Sequence, residues 1–473
     1  MTMPASQAFA HLPAGFRGAL WRPGDQEYSR SRSIFNMRTA DAQPAGILHP
    51  LDEKDVALVA RLANDTGTPI ALRSGGHGID GSAMPDGAIV MDLTAFKRID
   101  VDARRGRVRL GTGVLLGEMD TALEQHRLCV PAGTVSSTGI AGLCLGGGVG
   151  YNSRKYGATV DSLVSCDVVT VDGRTIRASA DEHPDLFWAL RGGGGNFGIV
   201  TGFEFITHPL PALVSAAFIF FPLDSGGEVL PAVRDYMLSA PRELCVIGAL
   251  TQCPPLPPIP AHLHGENVVI LVAVYTGATA AGERMFNELS GLGPTIATMA
   301  KPDSWSHVNR LLDAVAPYGR RAYTKGGYVT DMTDEIVAVA LRHAAMAPAP
   351  TALPAPSTVQ NFLAMGGAIS EDFTESSTAF SREGAGWLWE AVSQWDSPQD
   401  DQPFEAWTHA LHEDMKPHLR PNGYINLTTD QGPDWRRRVW GEEIKYQRLL
   451  EAKAVWDPGN LLRFNKNIPP RAR

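Results

Sequence analysis

Cysteine is scarce. The 473-residue chain has five, at positions 129, 144, 166, 245 and 253. An odd number without C-x-x-C spacing excludes a disulfide framework and a zinc ribbon. Reduced thiols in a reducing, cytoplasmic setting are expected instead. A basic surplus is also missing. Against 51 Asp and Glu stand 42 Lys and Arg, a formal net charge of −9, which argues against a nucleic-acid binder. The one basic run, Arg436–Arg438, lies between Trp435 and Trp440 and reads as the solvated side of a helix. No apolar run reaches the roughly 18 residues of a membrane span, and no apolar segment follows the first charges, so neither a span nor a secretory signal is expected. His262-x-His264 and His409-x-x-His412 lack an acidic ligand at the usual spacing, so no metal is expected, and without a Gly-x-Ser-x-Gly elbow a serine hydrolase has no support.

Glycine is abundant. The chain has 48, about a tenth of its residues against an ordinary ~7%. They show no Gly-X-Y period, so collagen is excluded. They cluster instead, which marks places where backbone must approach something closely.

Residues 1–43 read as an irregular lead-in. A compact alternation follows: a strand at Ala45–Leu48, a helix from Asp52 to Asn64 with Asp52 placed to cap it, and a strand at Pro69–Arg73 running into Ser74-Gly75-Gly76-His77-Gly78. Strands at Ala88–Leu93 and Arg107–Leu110 come next, then Gly111-x-Gly113 and a helix over Leu116 to Gln125. Its next glycine, Gly117, is out of register for a dinucleotide fingerprint. Further strands fall at Ser165–Val171, with a hairpin signal at Asp172-Gly173, and at Gly202–Thr207. Beyond Pro209 glycine thins out, and a second domain of strands and helices is expected over residues 208–417. A short strand at Tyr424–Leu427 and a helix from about Trp435 to Ala454 complete the chain.

Three glycine-rich loops stand out: Arg73–Gly78, Gly133–Gly150 and Gly192–Gly198. Bare backbone N–H groups in such loops make concave anion sites. Together the loops suit a long ligand with a phosphate part and a flat ring. His77, flanked by glycines, has little bulk around it and can reach a ligand ring; its imidazole is a nucleophile. Period-2 alternation would put Tyr424 and Asn426 on one strand face.

These residues carry a resemblance. Arg73-Ser74-Gly75-Gly76-His77, Gly133–Gly150, Arg154-Lys155-Tyr156-Gly157, Asp161 and Gly192–Val200 resemble the FAD-linked oxidases of the vanillyl-alcohol oxidase and p-cresol methylhydroxylase superfamily. Gly366-Gly367-Ala368, Thr378–Arg382, Tyr424-Ile425-Asn426, Lys453, Asp457-Pro458, Asn460-Leu461 and Arg463–Pro470 narrow it to the berberine-bridge-enzyme-like branch. The resemblance implies an α+β protein: a two-subdomain FAD-binding domain plus a substrate domain whose antiparallel sheet is covered by helices. Residues 1–207 would be the N-terminal part of the FAD-binding domain, 208–417 the substrate domain, and 418–473 a return to the first. FAD would be held by Arg73, Ser74, Gly75, Gly76, Gly78, Gly133, Thr134, Val135, Thr138, Gly139, Gly142, Gly147, Gly148, Gly198, Ile199, Val200, Asn465 and Asn467, with His77 bonded to the flavin 8α carbon. Tyr424 and Asn426 would be catalytic.

The resemblance further implies hydride transfer from a C–H next to a hydroxyl or amine, with O2 reoxidising the flavin to give H2O2. Small-molecule partners of that kind are an alcohol, a sugar, an amine or a polyketide-like compound; the chain would be a monomer or homodimer. Two positions depart from the family. Val135 stands where many relatives have a second flavin-linking cysteine, and Val149 where many have an aromatic residue. Thr138 falls where relatives gate oxygen, and its small size favours an oxidase. A dehydrogenase with another electron acceptor, or a flavin binder without turnover, remains an alternative.

Overall fold

A computed structural model describes residues 4–351 and 353–471. Three large sheets organise them, with a two-stranded pair of Leu128–Cys129 and His208–Pro209 beside them. The first has four strands in the order Ala19–Trp21, Gly46–His49, Ile89–Asp92, Ile70–Arg73, parallel except for the first pair. The Glu53–Thr66 helix links two of its strands. Asp52 starts that helix by accepting from the N–H groups of Lys54 and Asp55, Gly67 (φ +65°) ends it, and Val56, Val59, Ala60 and Ala63 are its buried stripe. The second sheet is antiparallel, in the order Ile99–Asp102, Arg107–Gly111, Ile199–Ile206, Leu163–Val169, Thr175–Ser179.

The third sheet has seven antiparallel strands: Ala297–Asp303, Val214–Pro222, Asn267–Tyr275, Leu244–Gln252, Thr358–Ala364, Trp387–Trp395 and Arg321–Val329. Helices Gly226–Met237, Thr279–Ser290, Asp334–Ala345 and Asp401–Met415 pack against one face. Val246, Leu250, Val269 and Leu271 belong to the core on that side, whereas Ile247, Ala249, Ile270 and Val272 belong to the core shared with the glycine-rich half. Both faces of the central strands Leu244–Gln252 and Asn267–Tyr275 are buried, so these two are apolar almost throughout. Among the described residues no helix is long and apolar enough to cross a membrane.

Buried polar ties hold the halves in register. Arg382 pairs with Asp161, whose other neighbour is the Ala158 N–H. Arg154 donates to the carbonyls of Leu244, Ala240 and Met365. Near the C-terminus, the ammonium of Lys453 meets Asp457 at 2.7 Å and the carbonyls of Asn196 and Leu462 at 2.8 and 3.1 Å. The Ile70 N–H then donates to Leu461 O, which brings the last segment to the edge of the first sheet.

Three sequence expectations need correction. From residue 4 on the lead-in is not irregular throughout: Ala19–Trp21 pairs with Gly46–His49, and Asn36 is fully buried. Residues Ile425–Leu427 form a 3-10 turn, because the Leu427 N–H turns back to Tyr424 O rather than pairing with a strand. The long C-terminal helix is two, Pro433–Val439 and Glu443–Trp456, broken where Gly441 adopts φ +95°.

Lys453 and Asp457 are both fully buried. Lys453→Met would strand the carboxylate and two carbonyls, and should lower unfolding free energy by about 3–5 kcal/mol, read as a drop in the urea midpoint.

Candidate active site

A cavity of about 530 Å³ lies between the glycine loops and the open face of the seven-stranded sheet. This is within the roughly 300–1,000 Å³ typical of cofactor and ligand pockets. Its floor exists because two loops cross main chain on main chain. A Cβ on Gly75 would stand 2.4 Å from the N of Gly139, and one on Gly139 2.5 Å from the N of Gly75. Ser74 fixes the first loop by donating to Thr112 O at 2.6 Å, and Arg73 by bonding Asp92 and the carbonyls of Ser31 and Ser33.

Most residues singled out from the sequence line this cavity: Arg73 to Gly78, Gly133, Thr134, Val135, Thr138, Gly139, Gly142, Gly198, Val200, Asn465, Tyr424 and Asn426. Four do not. Ile199 is buried in the core under the first sheet. Gly147 makes room for Phe380 and Gly148 for Thr159. Asn467 lies off the wall, although its Oδ1 is buried without a partner.

His77 is caged. Its ring stacks on Phe35, with centroids 3.9 Å apart, and meets Tyr318 edge-on at 5.5 Å. Its Nε2 lies 3.2 Å from Ser137 Oγ. Burial pushes its pKa down to about 4, so the imidazole is neutral at pH 7.

Tyr424 is buried on the cavity wall. Its hydroxyl oxygen accepts from the Gly148 N–H at 3.2 Å and from Asn426 Nδ2 at 3.1 Å. Asn426 also donates to Leu143 O and packs on Gly146, where no side chain would fit. Burial raises the Tyr424 pKa to about 12, outweighing the hydrogen bonds from Asn426, Val149 and Gly148 that lower it. The group is therefore a neutral phenol whose oxygen is already supplied with donors.

Glu390 was not singled out from the sequence. It sits on Trp387–Trp395, opposite Asn361 of the neighbouring strand, and both face the cavity. Asn361 Nδ2 donates to Glu390 Oε2 at 3.4 Å. Burial raises the carboxyl pKa to about 7, with only the Asn361 contact opposing. Around the pair the roof is mostly apolar, with Ile247, Ile270, Val272, Leu363 and Leu388, and Thr251, Thr324 and Gln394 are its polar members. The only sequence signal was a lone acid within a tryptophan-rich apolar strand.

Comparison with known proteins places this geometry. A family model described as an FAD binding domain matches residues 44–179, and one described as berberine and berberine like matches 423–469. The FAD-linked oxidoreductase janO of Penicillium janthinellum is 31% identical over 329 residues, covering 67% of this chain and 71% of that protein. The chain belongs to the berberine-bridge-enzyme-like FAD-linked oxidoreductases. It is an FAD-dependent enzyme. The (R)-6-hydroxynicotine oxidase of Paenarthrobacter nicotinovorans is 28% identical over 474 residues, with 97% and 98% of the two chains covered. The solved structure of Physcomitrella patens BBE-like 1 superposes with a TM-score of 0.86 at 21% identity, covering 100% of both chains.

The cavity fits FAD. A Cβ on Gly78, Gly142 or Gly195 would meet nothing within 4 Å, so these three glycines border open space. Asn465, on the wall, has a buried Oδ1 without a donor, free to accept from a ligand. Two substitutions separate floor from lining. Gly142→Leu should leave the thermal midpoint of the apoprotein unchanged and lower FAD retention at least tenfold. Gly75→Ala should destabilise the apoprotein itself by about 1–3 kcal/mol, since the obstacle is main chain.

Proposed function

We propose that this chain is an oxidase acting on a small molecule at a C–H bond next to a hydroxyl or amine. The observation that carries the reading is Glu390: a carboxyl with a pKa near 7, facing the same cavity as the glycine loops and Tyr424. Bound there, FAD supplies the hydride acceptor, and O2 takes the electrons on as H2O2. Glu390 is the general base that removes the proton from the substrate hydroxyl or amine; a base poised near the working pH is the effective kind. Tyr424 complements it. With its oxygen held by Gly148 and Asn426, its own proton is directed at a substrate oxygen or nitrogen, so it orients the substrate. The apolar roof keeps water away from the reacting atoms and strengthens both contacts.

His77 would hold the cofactor by a covalent bond at the flavin 8α carbon. A neutral, desolvated imidazole has the lone pair that this requires. Val135 lies on the wall where it can form no bond, so one covalent link is expected. Thr138 lines the cavity and would set oxygen access. Residues 1–207 and 418–473 would serve the cofactor and 208–417 the substrate. The substrate is a small molecule of the alcohol, sugar, amine or polyketide-like classes; support comes from the relative named (R)-6-hydroxynicotine oxidase.

The test is anaerobic flavin bleaching by candidate alcohols and amines, followed by peroxide assay in air. With a bleaching substrate, the reduction rate should rise with pH through about 7 as Glu390 ionises. Glu390→Gln should slow it by ~10²–10⁴ and flatten that profile. Bleaching without peroxide would replace oxidase by dehydrogenase. For the anchor, His77→Ala should release its flavin in acid or detergent, where the unaltered protein retains it.

A further inference from the structure

The cage around His77 is assembled from segments distant in sequence. Phe35 comes from the lead-in, and its N–H donates to Gly76 O at 2.9 Å. The next residue, Asn36, pegs the lead-in in place: it donates to Ile79 O and Ala322 O and accepts from the Ala322 N–H. Tyr318 comes from the stretch between two strands of the seven-stranded sheet and donates to Gly75 O at 2.5 Å. The same stretch supplies Asp313, which accepts from both the N–H and the hydroxyl of Ser136 at 2.8 and 2.6 Å. Ser136 precedes Ser137, which touches the imidazole. The three contacts of the ring, with Phe35, Tyr318 and Ser137, thus come from segments that are themselves held.

We infer that Phe35 and Tyr318 are positioning residues for covalent flavin attachment: they hold the His77 imidazole desolvated and in one orientation toward the cavity. The inference rests on His77 being the anchor. The bond joins a ring nitrogen of His77 to the flavin 8α carbon. That carbon loses one hydrogen, the imidazole loses its N–H, and dioxygen takes both protons and the electron pair as hydrogen peroxide. Phe35 contributes by covering a ring face, which excludes water and keeps the nitrogen unprotonated. Tyr318 contributes by fixing the loop at Gly75 and closing the ring edge. The charged and titratable groups facing the ring region are Tyr318, Asp313 behind Ser136, and Arg73 at the neck of the loop. Without the stacking ring, the imidazole should return toward its ordinary pKa of about 6.5.

The experiment measures acid-stable and acid-released flavin in purified full-length protein, before and during incubation with FAD in air. In the unaltered protein the flavin should be acid-stable. Phe35→Leu and Tyr318→Phe should keep about one flavin per chain, yet convert it to the acid-stable form at least tenfold more slowly. Phe35→Tyr, which keeps the ring, should restore the rate. At pH 5.5 the Phe35→Leu variant should slow by roughly another tenfold, because an imidazole of ordinary pKa is mostly protonated there, while the unaltered protein holds its rate. Attachment at the unaltered rate in both variants would overturn the inference. So would a parallel loss of total flavin, which would mark a merely structural role. Acid release of all flavin from the unaltered protein would overturn the anchor and the cage together.

Discussion

The site depends on the contact of Gly75 with Gly139. Two loops separated by more than sixty residues meet main chain to main chain, closer than a Cβ on either would allow. No side chain mediates the contact, so neither can be tuned by a neighbour giving way; both positions need the missing methyl group. The remaining floor follows from it. The Leu116 N–H donates to Thr138 O and the Ile140 N–H to Val114 O, so the second loop is tied to the second sheet's helix. The first loop, pinned at Gly75, delivers His77 to the cavity edge.

A floor alone encloses nothing. The roof is the open face of the seven-stranded sheet, and buried polar ties set its position. Arg382 and Asp161, 221 residues apart, are 3% and 1% exposed. A pair so deeply buried gains little net stability, because desolvation offsets attraction. What it contributes is registration: with either partner misplaced, a charge is left buried and alone. Arg154, with its three carbonyl acceptors, and Asn36, bonded to Ala322 in both directions, act the same way. The cavity therefore exists only with the two halves docked, and docking also completes the cage around His77.

This explains which parts were legible in the sequence. Loops with a local cause could be read: the glycine runs and His77 are contiguous, and Asp52 caps a helix whose stripe is visible in fourteen residues. Groups whose meaning lies in long-range contacts could not. Glu390 acquires its environment from Asn361 across a strand pair and from a roof that six strands supply. Strands such as Val214–Pro222 and Leu244–Gln252 are buried on both faces, so the polar alternation that marks a strand is absent. Phe35 and Tyr318 sit in segments without a motif. Tyr424 and Asn426 do share the site, yet a turn and not strand alternation brings them together, with Asn426 reaching the hydroxyl because Gly146 leaves it room.

Burial acts on His77, Tyr424 and Glu390 in the cavity, and in each it favours the uncharged form. The consequences differ because the starting points differ. His77 is moved down to about 4 and Tyr424 up to about 12, so neither changes charge near neutrality. Glu390, starting as an ordinary carboxyl, is moved only as far as about 7. Of these three, the imidazole and the phenol stay neutral and the carboxyl alone ionises at working pH. That separation suits a nucleophile, a hydrogen-bond donor and a base respectively, and it needs no metal-like or cationic neighbour to bring it about. It follows from how deep each side chain lies and which hydrogen bonds reach it. Residues that control water entry, above all the apolar roof around Glu390, therefore govern the chemistry as directly as the groups that carry it.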